Sequence, residues 1–405
     1  MTTGHSASAT GGSDAASSDG SAGDNPDAPL KGLRVIEFGQ YIAVPAAGQL
    51  LADLGADVVK VESSDGDASR KLGWSSDDCG PMFSAYNGGK RSVVLALNTA
   101  AGSQTALTLA LSADVLLQNM RPGVMDRLGL GSQRLMGLAP RLVYGQVSGF
   151  GQHGPASLRP GLDIAAQAES GMMSLNGDAD RDPTRVGFTV VDAMAARTLA
   201  TGVLAALLRR GVTGRGGRVD VSLIDIAVEA LSNAFAEHRL LGRTPSRRGN
   251  GQPNAVPAAE VVRTADGMVV VSAYTQDHFA RLCRAIGRPE LISDERFATN
   301  PARVQHRHAL MDLLGAAMGG MSSAEACRLL TDASVVVGAI RGLDQVLPGQ
   351  DGVPADLFVD VSASGRAPVT LPGLSFTMDG VARRARRLPA LGEHNAQVLA
   401  DWGAE

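Results

Sequence analysis

The stretch GLRVIEFGQYIAVPAAGQLLADLGADVVKVE, residues 32–62, constrains this chain more than any other. A β-branched apolar run from Leu33 to Phe38 leads into a glycine turn. A helix of small residues follows over Ala46–Leu54, and Gly55 ends it before a second apolar run, Val58–Val61. Strand, turn, helix and strand in this order make the first half of a nucleotide-binding unit. The dinucleotide fingerprint needs G-x-G-x-x-G at the first turn, so that bare backbone can approach a pyrophosphate. Here the turn reads Gly39-Gln40-Tyr41-Ile42-Ala43-Val44-Pro45, with one glycine in place and a proline where the helix should begin. A phosphate-bearing ligand at this turn must therefore be held by something other than a glycine cradle.

The alternation continues downstream. Ser92–Leu97 reads as a strand, residues 101–112 as a helix, Val115–Gln118 as a strand, and Arg141–Ser148 as extended. This order predicts a parallel sheet covered by helices. RVGFTVVD, residues 185–192, reads as one more strand, and AMAARTLATGVLAALLRR as a buried helix that Gly211 ends. RGGRVDVSLIDIAVEALSNAFAEHRLLG then gives a strand and one long helix leading away from the first domain. After the Gly/Pro/Asn-rich loop 247–257 the texture changes to a hairpin around TADGMVVVSA and several helices. Short strands and turns return beyond about Gly342.

A chain of 405 residues is too long for one ordinary core. The reading is a large domain over 30–225, a linker helix with a smaller domain over 226–340, and a return to the large domain over 341–405. Residues 1–29, almost wholly Ser, Ala, Gly, Asp and Thr, have neither the basic start nor the apolar middle of a signal peptide, and read as a disordered tail. With 44% hydrophobic and 19% charged residues and a net charge of −4, nothing steers the chain to nucleic acid or to an anionic membrane. No apolar run is long and uninterrupted enough to predict a membrane span. Cys79, Cys283 and Cys327 are odd in number and scattered, which argues against a disulfide framework or a metal site and for a reducing, cytoplasmic setting.

Several phrases together resemble one family, the family III CoA-transferases, also called the CaiB/BaiF family. The opening stretch resembles its first strand and turn, and NGGKRSVVLALN (87–98) its K-R-S strand. ADVLLQNMRPGVMDRLGL (113–130), SGFGQHGPASLRPGLDIAAQAESGMMSLNG (148–177) and LPALGEHN (388–395) are similar to later motifs in the same order. The resemblance implies an α/β fold: a Rossmann-like large domain with a parallel sheet, a smaller α+β domain, and two chains interlocked as rings in a homodimer. It implies a transferase that moves coenzyme A from an acyl-CoA to a small carboxylic acid, with the thioester as substrate, no permanently bound cofactor, no metal and no ATP.

The family's nucleophile is an aspartate that matches Asp192. On its own residues Asp192 reads as an N-cap, and a helix N-terminus would also hold a carboxylate ionised and offer backbone N–H groups to an oxyanion. Asp163, in RPGLDIAAQ, reads as the cap of its own helix. The family's racemases carry a histidine at the position of Leu162, which cannot take a proton, so this chain departs from an α-methylacyl-CoA racemase or epimerase. Transferases often carry tyrosine there, so Leu162 departs from them too. A non-catalytic CoA-binding module is the third reading, against which Asp192 and the motif order speak.

Family CoA contacts match Ile42, Ala43, Leu95, Asn98, Asn119 and Arg127; on sequence alone Arg127 fits a surface salt bridge equally well. A family arginine after the KVE strand is replaced by Ser63 and Ser64, for which Arg70, Lys90 or Arg91 are the candidate substitutes. The loop Gly249-Asn250-Gly251-Gln252 matches a glycine loop that closes over the aspartate in some members, and reads equally as a plain linker.

Overall fold

A computed structural model describes residues 27–73, 78–252, 256–350 and 352–403. Its first half is built from β1 (Arg34–Phe38), α1 (Ala43–Asp53), β2 (Asp57–Glu62), α2 (Pro81–Tyr86), β3 (Arg91–Val94), α3 (Ala100–Leu111), β4 (Val115–Gln118), α4 (Val124–Arg127), α5 (Ser132–Leu138), β5 (Val143–Ser148), α6 (Asp163–Glu169), α7 (Met172–Leu175), α8 (Val190–Thr213) and β6 (Gly217–Ser222). The six strands form one parallel sheet in the order β3-β2-β1-β4-β5-β6. This is the doubly wound order, in which ligands bind beyond the carboxyl ends of the strands where the winding reverses, here between β1 and β4.

Strands β4 and β5 are buried at every residue, which is why they read as continuous apolar runs and not as alternation. Val35, Val58, Val115, Leu117 and Val143 pack against α1 and α8 on one face. Ile36, Phe38, Val59, Leu116 and Tyr144 pack against α3 and α5 on the other.

Helix α8 runs beyond Gly211 to Thr213, and Gly214 ends it in the left-handed conformation. By length and composition alone it could cross a membrane, contrary to the sequence expectation. Its Val191, Ala195, Leu199, Ala200 and Val203 belong to the core instead, so its apolarity is that of a helix lying on the sheet.

The predicted long helix after β6 is two: α9 (Leu223–Glu229), whose Leu223, Ile226 and Ala227 are buried, and α10 (Ser232–Leu241), which buries nothing. Strands β7 (Ala259–Arg263) and β8 (Met268–Ser272) form the expected hairpin. Helices α11 (Gln276–Ala285), α12 (Asn300–Gln305), α13 (Arg307–Met318) and α14 (Ser323–Asp332) follow, and β9 (Val336–Ala339) joins β8 as a third strand. These elements share a separate core around Phe279, Leu282, Phe297 and Leu310.

The chain ends with β10 (Phe358–Ser362), β11 (Val369–Pro372), β12 (Arg386–Arg387) and α15 (Asn395–Asp401). This last stretch packs back on the first sheet. Arg386 forks onto Asp53 at 2.9 and 2.6 Å, Asn395 accepts from the Val94 N–H, and Trp402 donates to Asp57. Of the expected tail, residues 1–26 lie outside the described residues. Residues 27–29 correct it: the Ala28 carbonyl accepts from Lys31 in a turn that leads to buried Leu30, whose N–H donates to Leu54.

Candidate active site

Close approach dictates the turn after β1. A Cβ on Gly39 would stand 2.3 Å from Val44 Cγ1, and one on Gly48, a turn into α1, 2.0 Å from Glu37 Oε2. Tyr41 takes left-handed backbone with φ 65°, and its N–H faces Asp67 Oδ1 at 3.4 Å. Such a conformation in a bulky residue needs surrounding structure to hold it.

A buried charge network beneath the turn supplies that support. Lys60 Nζ lies 3.1 Å from Glu37, 2.8 Å from Asp67 and 2.7 Å from the Gly39 carbonyl oxygen. Lys90 Nζ donates to Glu37, Asn87 and the Pro45 carbonyl. Burial works against the charge on both lysines. Glu37 and Asp67 outweigh it at Lys60, whose pKa is raised, whereas at Lys90 burial wins and the pKa falls to about 8. Sequence reading missed this network; its only signal was a set of charged residues inside apolar strands.

Above the turn, the ends of β1 and β2 and the segments that follow β1, β2 and β3 line a cavity of about 360 Å³, with Gly39, Gln40, Ser63, Ser64, Leu95 and Asn98 among its lining. Leu95 and Asn98 are thus brought together in one lining. Asn119, beyond β4, exchanges two hydrogen bonds with the Gln40 backbone at 2.9 and 2.8 Å, a clasp across the point where the winding reverses. Ile42 and Ala43 sit at the start of α1 with buried side chains, so only their backbone can face a ligand. Arg127 ends α4, is exposed, and makes no ion pair among the described residues. The surface salt bridge that the sequence equally allowed is not formed.

The proposed stand-ins for the missing arginine are committed elsewhere. Arg70 is buried, forks onto Glu62 at 2.8 and 2.7 Å, and lies 3.8 Å over the Phe83 ring. Lys90 belongs to the buried network, and Arg91, at the opposite end of β3, pairs with Asp57 and Asp401.

Asp192 is on α8, but not as the sequence suggested. The segment before it forms no strand, and residues 185–189 are largely exposed. Thr189 stands at the N-cap without a side-chain cap, and Asp192 is the third helical residue. The cap comes from Asp163, the first residue of α6, whose Oδ2 accepts from the N–H groups of Val191 at 2.8 Å and Asp192 at 3.3 Å. Gln167 donates to Asp163 Oδ1 at 2.6 Å and accepts from the Val186 N–H. Asp163 therefore caps the neighbouring helix, not its own.

This corrects the expectation that the helix N-terminus keeps Asp192 ionised. Asp163 takes those two N–H groups, so they serve neither Asp192 nor an oxyanion. Burial pushes the Asp192 carboxyl up to about 7, and the charge of Asp163 adds to the rise. Tyr86, at the end of α2, is raised by burial and by Asp192. Leu162 is exposed and offers no base. Gly249 donates to the Gly177 carbonyl and Arg247 to those of Asp178 and Arg181, tying that loop to the segment that leads into α8. Among the described residues no group of three or more His, Cys, Asp or Glu is placed to hold a metal.

Most of the chain resembles known proteins. Residues 30–395 match the profile of CoA-transferase family III. A succinate–glutarate CoA-transferase of Agrobacterium fabrum is 34% identical over 93% of this chain and 96% of its own. A succinyl-CoA–D-citramalate CoA-transferase of Chloroflexus aurantiacus is 34% identical over 93% of this chain and 94% of its own. The crystal structure of a CaiB/BaiF family protein from Brucella suis superposes with a TM-score of 0.83 at 32% identity, covering 92% of this chain and 99% of that one. The chain belongs to the family III CoA-transferases.

Proposed function

We propose that this CoA-transferase moves coenzyme A from the thioester of a small dicarboxylic acid to a free carboxylate, through covalent adducts on Asp192. The observation that carries the reading is the setting of Asp192: a part-buried carboxyl in the first turn of α8, with Asp163 and Tyr86 as its titratable neighbours.

The Asp192 carboxylate attacks the thioester carbonyl, the C–S bond breaks, and the coenzyme leaves as thiolate from a mixed anhydride. The thiolate attacks the aspartyl carbonyl of that anhydride, releasing the donor acid and leaving an aspartyl–CoA thioester. The incoming carboxylate attacks the same carbonyl and expels the thiolate, forming a second anhydride. The thiolate then takes the incoming acyl group and frees Asp192. Every step exchanges one activated acyl group for another, so no ATP is consumed, and one hard transfer is split into easier ones.

The coenzyme lies across the carboxyl ends of β1, β3 and β4, against the backbone of Ile42 and Ala43 and beside Leu95, Asn98 and Asn119. Exposed Arg127 takes its diphosphate with a planar fork of donors. The named activities of the relatives support dicarboxylic substrates. The interlocked dimer is supported by apolar side chains left in solvent on α8 and α10, among them Leu208, Val212, Leu240 and Leu241. The three cysteines are odd in number and widely spaced in sequence, which supports a reducing, cytoplasmic setting.

The test is mass spectrometry of a peptide containing residues 186–197 after incubation with succinyl-CoA and hydroxylamine or borohydride. A modified Asp192, together with loss of transfer and a cooperative melting transition no lower than that of the wild type in Asp192→Ala, supports the reading. Modification at Asp163, or near-normal turnover in Asp192→Ala, refutes it.

A further inference from the structure

Among the described residues, the lining of the cavity beyond β1, β2 and β3 holds no lysine, arginine or histidine. Lys60 is held by Glu37 and Asp67, Arg70 by Glu62, Lys90 by Glu37 and Arg91 by Asp57, and Arg121, one residue past lining Met120, is exposed outside the lining. Residues 1–26, 74–77, 253–255, 351 and 404–405 contain neither lysine nor arginine, so they cannot supply one.

What the cavity offers is different in kind. Ser63, Ser64 and Asp65 are exposed at the end of β2, and Asn98 beyond β3 faces them across the opening. Asp65 makes no ion pair among the described residues, so its carboxylate is open to hydroxyl donors and repels a phosphate. Glu62, by contrast, is saturated by Arg70, Ser92 and the Asp67 N–H. In sheets of this strand order, an acidic group past the second strand accepts from ribose hydroxyls, whereas an arginine there admits a phosphorylated ribose. The lining here is of the first kind.

We infer that this end of the crevice takes the adenosine of the coenzyme with no ion pair to its ribose 3′-phosphate, so that the enzyme accepts dephospho-coenzyme A and coenzyme A almost equally. The inference rests on the coenzyme A reading of the crevice. Both molecules share the diphosphate and the pantetheine arm, so Arg127 serves each alike.

Calorimetric titration of the full-length protein with coenzyme A and with dephospho-coenzyme A tests this without reference to any acyl group. Dissociation constants within about threefold are expected. Coenzyme A binding about tenfold tighter or more would overturn the inference, because that is what a charge-assisted contact to the phosphate is worth. Binding of neither molecule would overturn the coenzyme A reading itself, a result distinct from selective loss of the dephospho form. Ser64→Arg supplies the second arm, at an exposed position where folding is not at stake. It should tighten coenzyme A about tenfold and leave dephospho-coenzyme A unchanged. An unaltered ratio would mean that the ribose lies elsewhere.

Discussion

Asp192 can attack only as a carboxylate, yet its surroundings favour the acid. Its pKa rises from 3.8 to about 7, mainly through burial and then through Asp163. A rise of about three units disfavours the charged form by about 4 kcal/mol at 1.36 kcal/mol per unit. At pH 5 about one Asp192 in a hundred is ionised, so kcat/KM, which reports the free enzyme, should lie about 100-fold below its plateau, with a midpoint at about 7. An aspartate of ordinary pKa would give a flat profile from pH 5 upward. The assay is initial rates of thioester exchange from pH 5 to 9 at constant ionic strength, with products separated by chromatography. Asp163→Asn removes the neighbouring charge and keeps an oxygen for the Val191 and Asp192 N–H groups, so its midpoint should move down. A flat wild-type profile would refute the burial argument, and an unmoved midpoint in Asp163→Asn would refute the coupling.

The same shift has a cost in stability with a definite sign. Because the folded pKa is raised, the folded state holds its proton longer than the unfolded one. The stability that proton brings is complete below pH 3.8 and is lost as pH rises through about 7. Asp192→Asn should therefore be more stable than the wild type at pH 8, by up to about 4 kcal/mol in denaturant unfolding, with the difference vanishing at pH 4. Equal gains at both pH values would point to packing instead of charge. Arg127→Ala should raise KM for the thioester about tenfold while kcat holds, since it removes a contact present in ground and transition states alike; an unchanged KM would leave Arg127 with no part in binding. Lys60→Met leaves Asp67 buried beside no cation and frees the Gly39 carbonyl, so chemical denaturation should register a loss of about 3–5 kcal/mol. A loss below about 1 kcal/mol would mean that the network does not hold the turn.

What the sequence revealed and what it concealed divide along one physical line. Strands β1, β2 and β4 were legible because burial on both faces leaves short apolar runs, Val35–Ile36, Val58–Val59 and Val115–Leu117, even where charged residues interrupt them. Leu95 and Asn98 were singled out through the family resemblance, and the fold sets both in the lining of one cavity past the end of β3. The failures are residues whose partners come from far along the chain. Val186 to Val191 is β-branched and reads as a strand, but Asp163, 28 residues before Val191, caps those N–H groups and draws Val190 and Val191 into a helix. Arg70 reads as a free cation until Glu62 and Phe83 are seen to enclose it, and that enclosure leaves the cavity without a cation. Asp192 shows the consequence for chemistry. Its place at the head of α8 argues locally for an ionised carboxylate, because a helix N-terminus favours negative charge. A second carboxylate has already taken the first N–H groups, and the sign of the shift reverses. That Asp192 lies near the head of a helix was readable; its place in the first turn instead of at the cap, and which of two aspartates the helix serves, were decided by tertiary structure.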